Sequence, residues 1–222
     1  MSMEHVEKIK CPACGAESDF VIWRSINTQL DPDTKEKVLS GELFRFKCPK
    51  CSEETNIVYD TLYHQMEDQI MISLVSDEEN IDEATDSFDR IANGSLMPGV
   101  QLPESEYVLR IVRNQNQLRE KVYIFNHGLD DRIIEVMKMV ILSRLMKKQP
   151  DIRVAEMLLE INEGESENFA IRMEDGQWGV VPFQHEFYET IKNDISGLDD
   201  VPKEYIVDRN WAIKFLTSRA SN

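Results

Sequence analysis

Four cysteines, arranged as two Cys-Pro-x-Cys pairs, are the residues of this sequence with the clearest chemistry. The pairs are Cys11 with Cys14 and Cys48 with Cys51, and the 222 residues hold no other cysteine. A Cys-x-x-Cys turn brings two thiolates to one side of a backbone loop, each about 2.3 Å from a shared metal ion. Two such turns facing each other supply a closed tetrahedral site. The sequence therefore predicts a metal centre with all four cysteines as ligands.

Zinc is the metal that this ligand set favours, in a structural role. A small ribbon buries too little apolar surface to fold unaided, and metal binding would supply the missing free energy. Rubredoxin-type iron uses the same four thiolates, so iron stays open as an alternative, as does dithiol redox chemistry. Disulfides are disfavoured, because residues 1–10 hold no apolar signal-peptide core and a reducing cytosol keeps thiols free.

The interval between the two pairs is longer than in a common zinc ribbon. It comprises residues 15–47, which is 33 residues, whereas about 15–20 are usual. Phe20–Trp23 is an apolar, strand-like run, and Leu43–Lys47 alternates as a second strand. Residues 56–59, after the second pair, are predicted as the strand that returns from it. Between them, Asp31–Gly41 has the Asp N-cap, early Pro and final Gly of a short helix. We therefore expect an N-terminal zinc-ribbon-like β domain with a helical insertion between its two cysteine turns.

The lysines next to the cysteines bear on the charge of such a site. Four thiolates around a divalent ion carry a net charge of about −2. Lys10, Lys47 and Lys50 flank the sulfurs in the sequence and are predicted to offset part of that charge.

The order of these motifs resembles the CpXC protein family of prokaryotes. The likeness lies in both Cys-Pro-x-Cys pairs and in five further stretches: Ser25–Asn27, Leu30–Pro32, Leu39–Phe44, Leu62–Met66 and Gly128–Arg132. It is specific over residues 9–75, weaker as far as residue 145 and absent beyond. The family is named for its cysteine pairs, so the resemblance implies a metal-binding module and no particular substrate. Ser52 stands where many such turns have glycine, a departure that leaves the ligands intact.

The charge distribution divides the chain into three predicted parts of an α+β protein. Residues 1–75 carry a net charge of −5, residues 76–106 carry −8 and residues 107–222 carry −3, which gives −16 in all. The middle part combines acidic runs with Gly and Pro, a pattern typical of a solvated connector. We predict a CpXC zinc-ribbon-like domain over 1–75, an acidic connector over 76–106 and an α+β C-terminal domain over 107–222.

The negative charge also bears on the class of partner. Nucleic-acid-binding proteins neutralise phosphates with Lys and Arg, so a metal-binding part with a net charge of −5 favours a protein partner instead. No apolar run approaches the roughly 20 residues of a membrane span, and the absence of a targeting segment favours the cytoplasm. The sequence predicts a cytoplasmic protein-interaction module.

The C-terminal half carries signals for both helices and strands. A wide apolar arc over Ile133–Met146 predicts a core helix or a homo-oligomer interface. Asp175-Gly176 is a strong hairpin signal. The remaining predictions are a strand over 107–112, a helix ending at Gly128, a helix from Asp130 to about Lys148, a strand or helix over 155–161, a polar turn over 163–167, a helix over 184–195 stopped by Gly197, and a helix over 208–218.

Histidines are the alternative candidates for chemistry. His127 lies near Asp130 and Asp131, where a general base could be built, but helix capping accounts for all three. His64 is a candidate fifth ligand or base, and His185 lacks the second histidine of a zincin motif. No complete catalytic constellation is formed. The sequence favours a non-enzymatic role, with an active site near His127 or His185 as the alternative.

Overall fold

The chain folds as an α+β protein, as predicted. The structure is a computed structural model that describes residues 2–94, 107–162, 166–195, 198 and 204–220. Its helices and strands are β1 Met3–Lys10, β2 Glu17–Asn27, α1 Asp33–Leu39, β3 Arg45–Lys47, β4 Glu54–Asn56, β5 Thr61–Gln65, β6 Ile70–Leu74, α2 Ile81–Ala92, β7 Val108–Val112, α3 Gln115–Asn126, α4 Asp131–Lys148, β8 Val154–Asn162, β9 Ser166–Met173, β10 Trp178–Pro182, α5 His185–Asp194 and α6 Arg209–Ala220.

Two compact units make up the chain. Unit 1 is Met1–Arg119 and unit 2 is Glu120–Asn222, so the boundary falls inside α3. The prediction of separate domains over 1–75 and 107–222, joined by a connector, stays a prediction. None of the helices in the described ranges is both long and apolar enough to cross a bilayer.

Unit 1 is built on a five-stranded mixed sheet with the order β1-β2-β5-β6-β7. β1–β2 and β5–β6 are antiparallel, whereas β2–β5 and β6–β7 are parallel. Residues of β5 and β6 alternate between buried and half-buried, as the two-residue period of a strand requires. Tyr63 and Ile72 lie opposite each other on the buried face and are fully enclosed.

The predicted helix between the cysteine pairs is present as α1, but its cap differs from the prediction. The N-cap residue is Pro32, without a side-chain cap, and Asp31 contributes its carbonyl oxygen to the Thr34 N–H at 3.1 Å. The prediction that the Asp31 side chain caps α1 was therefore wrong. Gly41 follows the helix with φ of +73°, the left-handed conformation that suits glycine after a C-cap.

Two predicted strands near the second cysteine pair begin or end elsewhere. Leu43 and Phe44 belong to a 3-10 helix, and the strand starts only at Arg45. Both side chains are buried. Neighbours in a strand would point to opposite faces, so the tight helical turn is what places both inward. The return strand is β4, Glu54–Asn56, rather than the predicted 56–59.

The acidic stretch after β6 contains a twelve-residue helix, α2. Its Phe88 side chain is buried, while its acidic residues lie toward solvent. The predicted Gly and Pro punctuation at Pro98-Gly99 and Pro103 lies outside the described residues.

Unit 2 combines an antiparallel sheet, ordered β10-β9-β8, with α4, α5 and α6. The ambiguous stretch 155–161 is a strand, β8, and Asp175-Gly176 forms the predicted hairpin between β9 and β10, with φ of +84° at Gly176. The long helix α4 begins at the predicted cap, Asp130, whose carboxylate accepts the Arg132 N–H at 2.9 Å. Gly197 and residues 163–165 lie outside the described residues.

The helix α4 is a core element of unit 2. Ile133, Ile134 and Met137 are enclosed almost completely. Val136 packs against Trp211 and Phe215 of α6, whose rings stack with centroids 5.2 Å apart. The homo-oligomer interface suggested for Ile133–Met146 stays a prediction.

Candidate metal centre

Each Cys-Pro-x-Cys pair lies at the tip of a β-hairpin. The first pair joins β1 to β2 where Lys10 pairs with Glu17, and the second joins β3 to β4 where Lys47 pairs with Glu54. We call each pair with its turn a knuckle. The hairpin strands fix where each knuckle begins and ends, so the position of the sulfurs follows from strand pairing.

The two knuckles have the same backbone hydrogen bonds. In each, the first cysteine N–H donates across the turn at 2.8 Å, and the residue after the second cysteine donates back to the first cysteine carbonyl at 2.9 Å. These bonds join Cys11 to Ala16 and Gly15, and Cys48 to Glu53 and Ser52. The sequence difference between the two turns therefore leaves the backbone geometry unchanged.

The residue that closes each knuckle has a left-handed backbone. Gly15 has φ of +70° and Ser52 has φ of +61°. A side chain in this region costs about 1–2 kcal/mol, a penalty that glycine avoids. Ser52 therefore carries backbone strain that its counterpart does not.

The four sulfur atoms converge on one point between the knuckles. Cys11 Sγ lies 3.6 Å from Cys51 Sγ, Cys14 Sγ lies 3.7 Å from Cys48 Sγ, and all four lie within 4.8 Å of one another. A tetrahedral ion with metal–sulfur bonds of 2.3 Å needs sulfur–sulfur edges of about 3.8 Å. A disulfide needs about 2.05 Å, and all four cysteines are free. The four residues, called the cysteine centre below, are compatible with metal binding.

One side of the cysteine centre is apolar and the other is open. Cys11 and Cys48 are buried and form a cluster with Phe46, whereas Cys14 and Cys51 lie at the surface. Further apolar side chains pack against this cluster: Ile9, Ala16, Phe20 and Ile57. The apolar side excludes water from two of the four sulfurs.

Backbone N–H groups act on the protonation of the thiols, and one flanking lysine is engaged elsewhere. The backbone N–H of Cys51, directed at the Cys48 sulfur, lowers the pKa of Cys48 to about 7 against the effect of burial. The backbone N–H of Glu53 acts in the same direction on Cys51, but the contact with Cys14 and burial outweigh it and raise the pKa of Cys51 to about 12. In the absence of a metal, the thiolate is therefore favoured at Cys48 and the thiol at Cys51. Lys47 was predicted to offset the thiolate charge, but its ammonium forms a 2.8 Å ion pair with Glu54 across the β3–β4 hairpin.

The histidines outside the cysteine centre have hydrogen-bond partners of their own. In unit 1, His64 Nε2 lies 3.0 Å from the Tyr107 hydroxyl, and burial lowers the pKa of His64. In unit 2, His127 Nδ1 lies 2.8 Å from the Tyr123 carbonyl oxygen. His185 Nε2 lies 2.7 Å from Glu167, which also accepts from the Tyr123 hydroxyl at 2.6 Å. Sequence reasoning placed Glu167 in a polar turn and missed this link.

His127, Asp130 and Asp131, which the sequence grouped together, each have a different partner in the structure. Asp130 caps α4 and pairs with Arg132 at 2.6 Å. Asp131 was predicted to act as a cap, but its carboxylate is buried and forms an ion pair with Lys121 at 2.8 Å. Capping therefore explains Asp130 and not Asp131.

Asp131 belongs to a buried charge network in unit 2 that sequence reasoning missed. Its five members are Glu120, Lys121, Asp131, Glu135 and Lys138, all buried. Lys138 lies 2.7 Å from Glu120 and 2.8 Å from Glu135, and Lys121 bridges Asp131 and Glu135. Charged residues at spacing i, i+3 inside the apolar arc of α4 were the available signal.

The charge network also contacts the backbone of unit 2. Glu120 accepts the Leu159 N–H of β8 at 2.6 Å, and Lys121 donates to the Val207 carbonyl oxygen at 2.7 Å. Because these bonds reach from α3 to a strand and to the segment before α6, the network holds several elements of unit 2 together.

Two cysteine knuckles on β-hairpins, with their sulfurs converging, place the chain among proteins with a four-cysteine cluster compatible with metal binding. The sequence model of the CpXC protein family matches residues 9–138, more than half of the chain, so the chain belongs to the CpXC family. The match covers both knuckles and the whole charge network, and it confirms the resemblance. No curated protein matches the chain, and no solved structure matches it.

Proposed function

We propose that the chain is a structural zinc protein whose cysteine centre holds unit 1 in a fixed shape for binding another protein. The observation that carries the proposal is the pair of sulfur–sulfur distances, 3.6 and 3.7 Å, close to the roughly 3.8 Å edge of a zinc–thiolate tetrahedron. Cys11, Cys14, Cys48 and Cys51 would be the ligands. Four protein ligands leave no position for substrate, which supports a structural role over a catalytic one.

The position of the centre supports this role. β3 and β4 form a two-stranded sheet of only three residues per strand, and an isolated two-stranded hairpin is marginally stable in water. A metal shared by Cys11, Cys14, Cys48 and Cys51 would fasten this hairpin to the longer β1–β2 hairpin. Structural zinc supplies an apparent free energy of about 10–16 kcal/mol, more than enough to fix the arrangement.

The knuckle tips are the surface that this arrangement would present. Pro12, Ala13, Pro49 and Lys50 are exposed there. Two prolines restrict the backbone of the tips, so a partner would bind them at little cost in conformational entropy. A protein partner fits the net charge of −16 better than a nucleic acid does.

Metal analysis of the purified chain tests the centre. We expect about one zinc per chain and four thiols that react only after denaturation or chelation. Less than about 0.5 zinc per chain together with four freely reacting thiols would refute the site. Bound iron would instead give a red protein with visible absorbance, and reversible cysteine oxidation without metal loss would indicate a redox protein.

Recovery of partners with the tagged protein from its own host tests the interaction role. The comparison uses Cys48→Ser, which removes one ligand, against Ser52→Gly, which leaves all four ligands in place. We expect a protein partner to be retained by Ser52→Gly and lost with Cys48→Ser. A partner retained equally by both variants would separate the interaction from the cysteine centre.

A further inference from the structure

A groove in unit 2 runs between the C-terminal half of α4 and the start of α6, and we call it the α4–α6 groove. It is an open surface groove with a volume of about 380 Å³. Its lining residues are Met139, Leu142, Ser143, Met146, Lys147 and Arg209. All of its lining residues belong to unit 2, whereas the cysteine centre belongs to unit 1.

The floor of the groove is an apolar stripe on α4. Met139, Leu142 and Met146 recur at i, i+3 and i+7, the spacing of one helix face, and Met146 is 45% exposed. On α6, Ile213 and Leu216 follow Arg209 at i+4 and i+7, and both are more than a third exposed. Leu142 is buried and Met139 is half-buried, so Met146 supplies the exposed apolar surface of the floor. Exposed apolar surface beside a groove is typical of interaction sites.

The rim of the groove is positively charged in an otherwise acidic chain. Both charged residues that line the groove, Lys147 and Arg209, are basic, whereas the whole chain carries −16. Lys214, farther along α6, is paired with Glu204 at 2.8 Å and adds no unpaired charge. Arg144 lies over the Phe187 ring, and Lys147 forms no ion pair with any residue that the structure describes. Charge is screened within about 8 Å at physiological salt, so a bound partner experiences this local positive charge.

We propose that the α4–α6 groove binds an acidic amphipathic helix of a partner protein. From Met139 to Met146 the floor extends over seven residues, or about 10 Å at 1.5 Å per residue, enough for two turns of a bound helix. Methionine side chains adapt to varied apolar anchors, and anchors at i, i+3, i+4 and i+7 are the usual way that a helix fills such a groove. Carboxylates beside those anchors reach Lys147 and Arg209.

The apolar floor favours this occupant over other anionic partners. A nucleic acid would place phosphates and bases against Met139, Leu142 and Met146, which offer no hydrogen-bond donors. An acidic helix uses the floor and the rim together, because its apolar and charged faces adjoin.

Fluorescence anisotropy with the full chain and two synthetic peptides tests the proposal. Both peptides are helical 18-mers with Leu at the anchor positions; one has Glu and the other Lys at the remaining positions. We expect the acidic peptide to bind at least about tenfold more tightly than the basic one, with an affinity that falls as salt rises. Equal affinity for both peptides would overturn the proposal.

Two adjacent lysines supply a matched pair of variants. Lys147 lines the groove, whereas Lys148, one residue on, is turned about 100° around α4 and is not among the lining residues. Lys147→Glu is expected to weaken binding of the acidic peptide about tenfold, and Lys148→Glu less than about twofold. Circular dichroism checks that both variants fold. Equal effects of the two substitutions would contradict the assignment to the groove.

Three competing occupants are measured in the same series. Duplex DNA or phosphatidylserine vesicles that displace the acidic peptide from the chain and lose binding with Lys147→Glu would assign the groove to a polyanion or a membrane surface. Self-association of the chain that is lost with Met146→Asp would assign it to a second copy. Any of these results overturns the proposal, and none depends on the metal content of the cysteine centre.

Discussion

Replacing Lys138 by Met removes the positive charge that links two carboxylates of the charge network. The Lys138 ammonium lies 2.7 Å from Glu120 and 2.8 Å from Glu135, and these three side chains are 10%, 3% and 5% exposed. Met has a similar length, so the substitution removes the charge with little change in packing. Breaking a buried ion pair by removing one partner costs about 3–5 kcal/mol, which is a large part of the 5–15 kcal/mol that stabilises a typical protein.

The loss of stability is expected to depend on pH. Burial raises the pKa of Glu120, and it outweighs the attraction of the Lys138 ammonium. The network offers only two ammonium groups to three carboxylates. Burial acts against the charge of Lys138, but Glu120 and Glu135 raise the pKa of Lys138 above its usual range. A carboxyl whose folded pKa is raised is destabilising when ionised, at high pH. That penalty shrinks as pH falls through the folded pKa and is gone below the unfolded pKa. Without Lys138 the folded pKa of Glu120 rises further.

Denaturant unfolding at pH 5, 6.5 and 8, combined with hydrogen exchange of α4 amides, measures this effect. We expect the deficit of Lys138→Met to be largest at pH 8 and smaller at pH 5. Lys148→Met is the control, because Lys148 is exposed at the end of the same helix and its loss should change stability by less than about 0.5 kcal/mol. A Lys138→Met deficit below about 1 kcal/mol, or one that grows as pH falls, would refute the reasoning.

Three further predictions concern the knuckles and a helix cap. Gly15→Ala should lower the unfolding free energy of metal-loaded protein by about 1–2 kcal/mol. The added methyl group causes no steric conflict, because the nearest atom is 3.8 Å away. Ser52→Gly should not destabilise the protein, and the opposite order of the two variants in denaturant titrations would contradict this. Chelation of the metal should abolish hydrogen-exchange protection in β3 and β4 and leave β8 and β9 protected; equal loss in both sheets would show that the centre is not local. Asp130→Ala should cost about 1–2 kcal/mol through loss of the α4 cap, measured by thermal unfolding against Asp151→Ala at an exposed site.

The elements that could be predicted from the sequence are those fixed by short-range signals. The knuckles follow from residues three apart, the β9–β10 hairpin from Asp175-Gly176, and the start of α4 from Asp130. The parallel pairings of β2 with β5 and of β6 with β7 depend on contacts between residues more than 30 positions apart, for which no local pattern exists. The strand predicted from Leu43 was wrong for a related reason. The apolar residues at its start fit a strand or a 3-10 helix equally well, and only packing against the core selects the helix.

The contacts in unit 2 that the sequence did not predict are polar contacts between residues far apart in the chain. Glu120 and Lys138 meet only because α3 and α4 pack together, and charged residues in an apolar arc are usually read as an exposed edge. The same holds for Glu167, which links Tyr123 and His185 from a strand. The ion-pair partner of a buried charge is evident only in the folded structure. Composition and periodicity can mark a charged residue within an apolar pattern, but they do not predict which residue it pairs with.

The extent of the family match separates the two proposals. Residues 9–138 contain the cysteine centre and end at Lys138, the last member of the charge network. Every residue that lines the α4–α6 groove lies beyond that point, from Met139 to Arg209. Family membership therefore supports the metal centre and says nothing of the groove, whose partner must be argued from this chain alone. A Lys147→Glu variant that binds zinc normally and loses the acidic peptide would show that the two sites work independently.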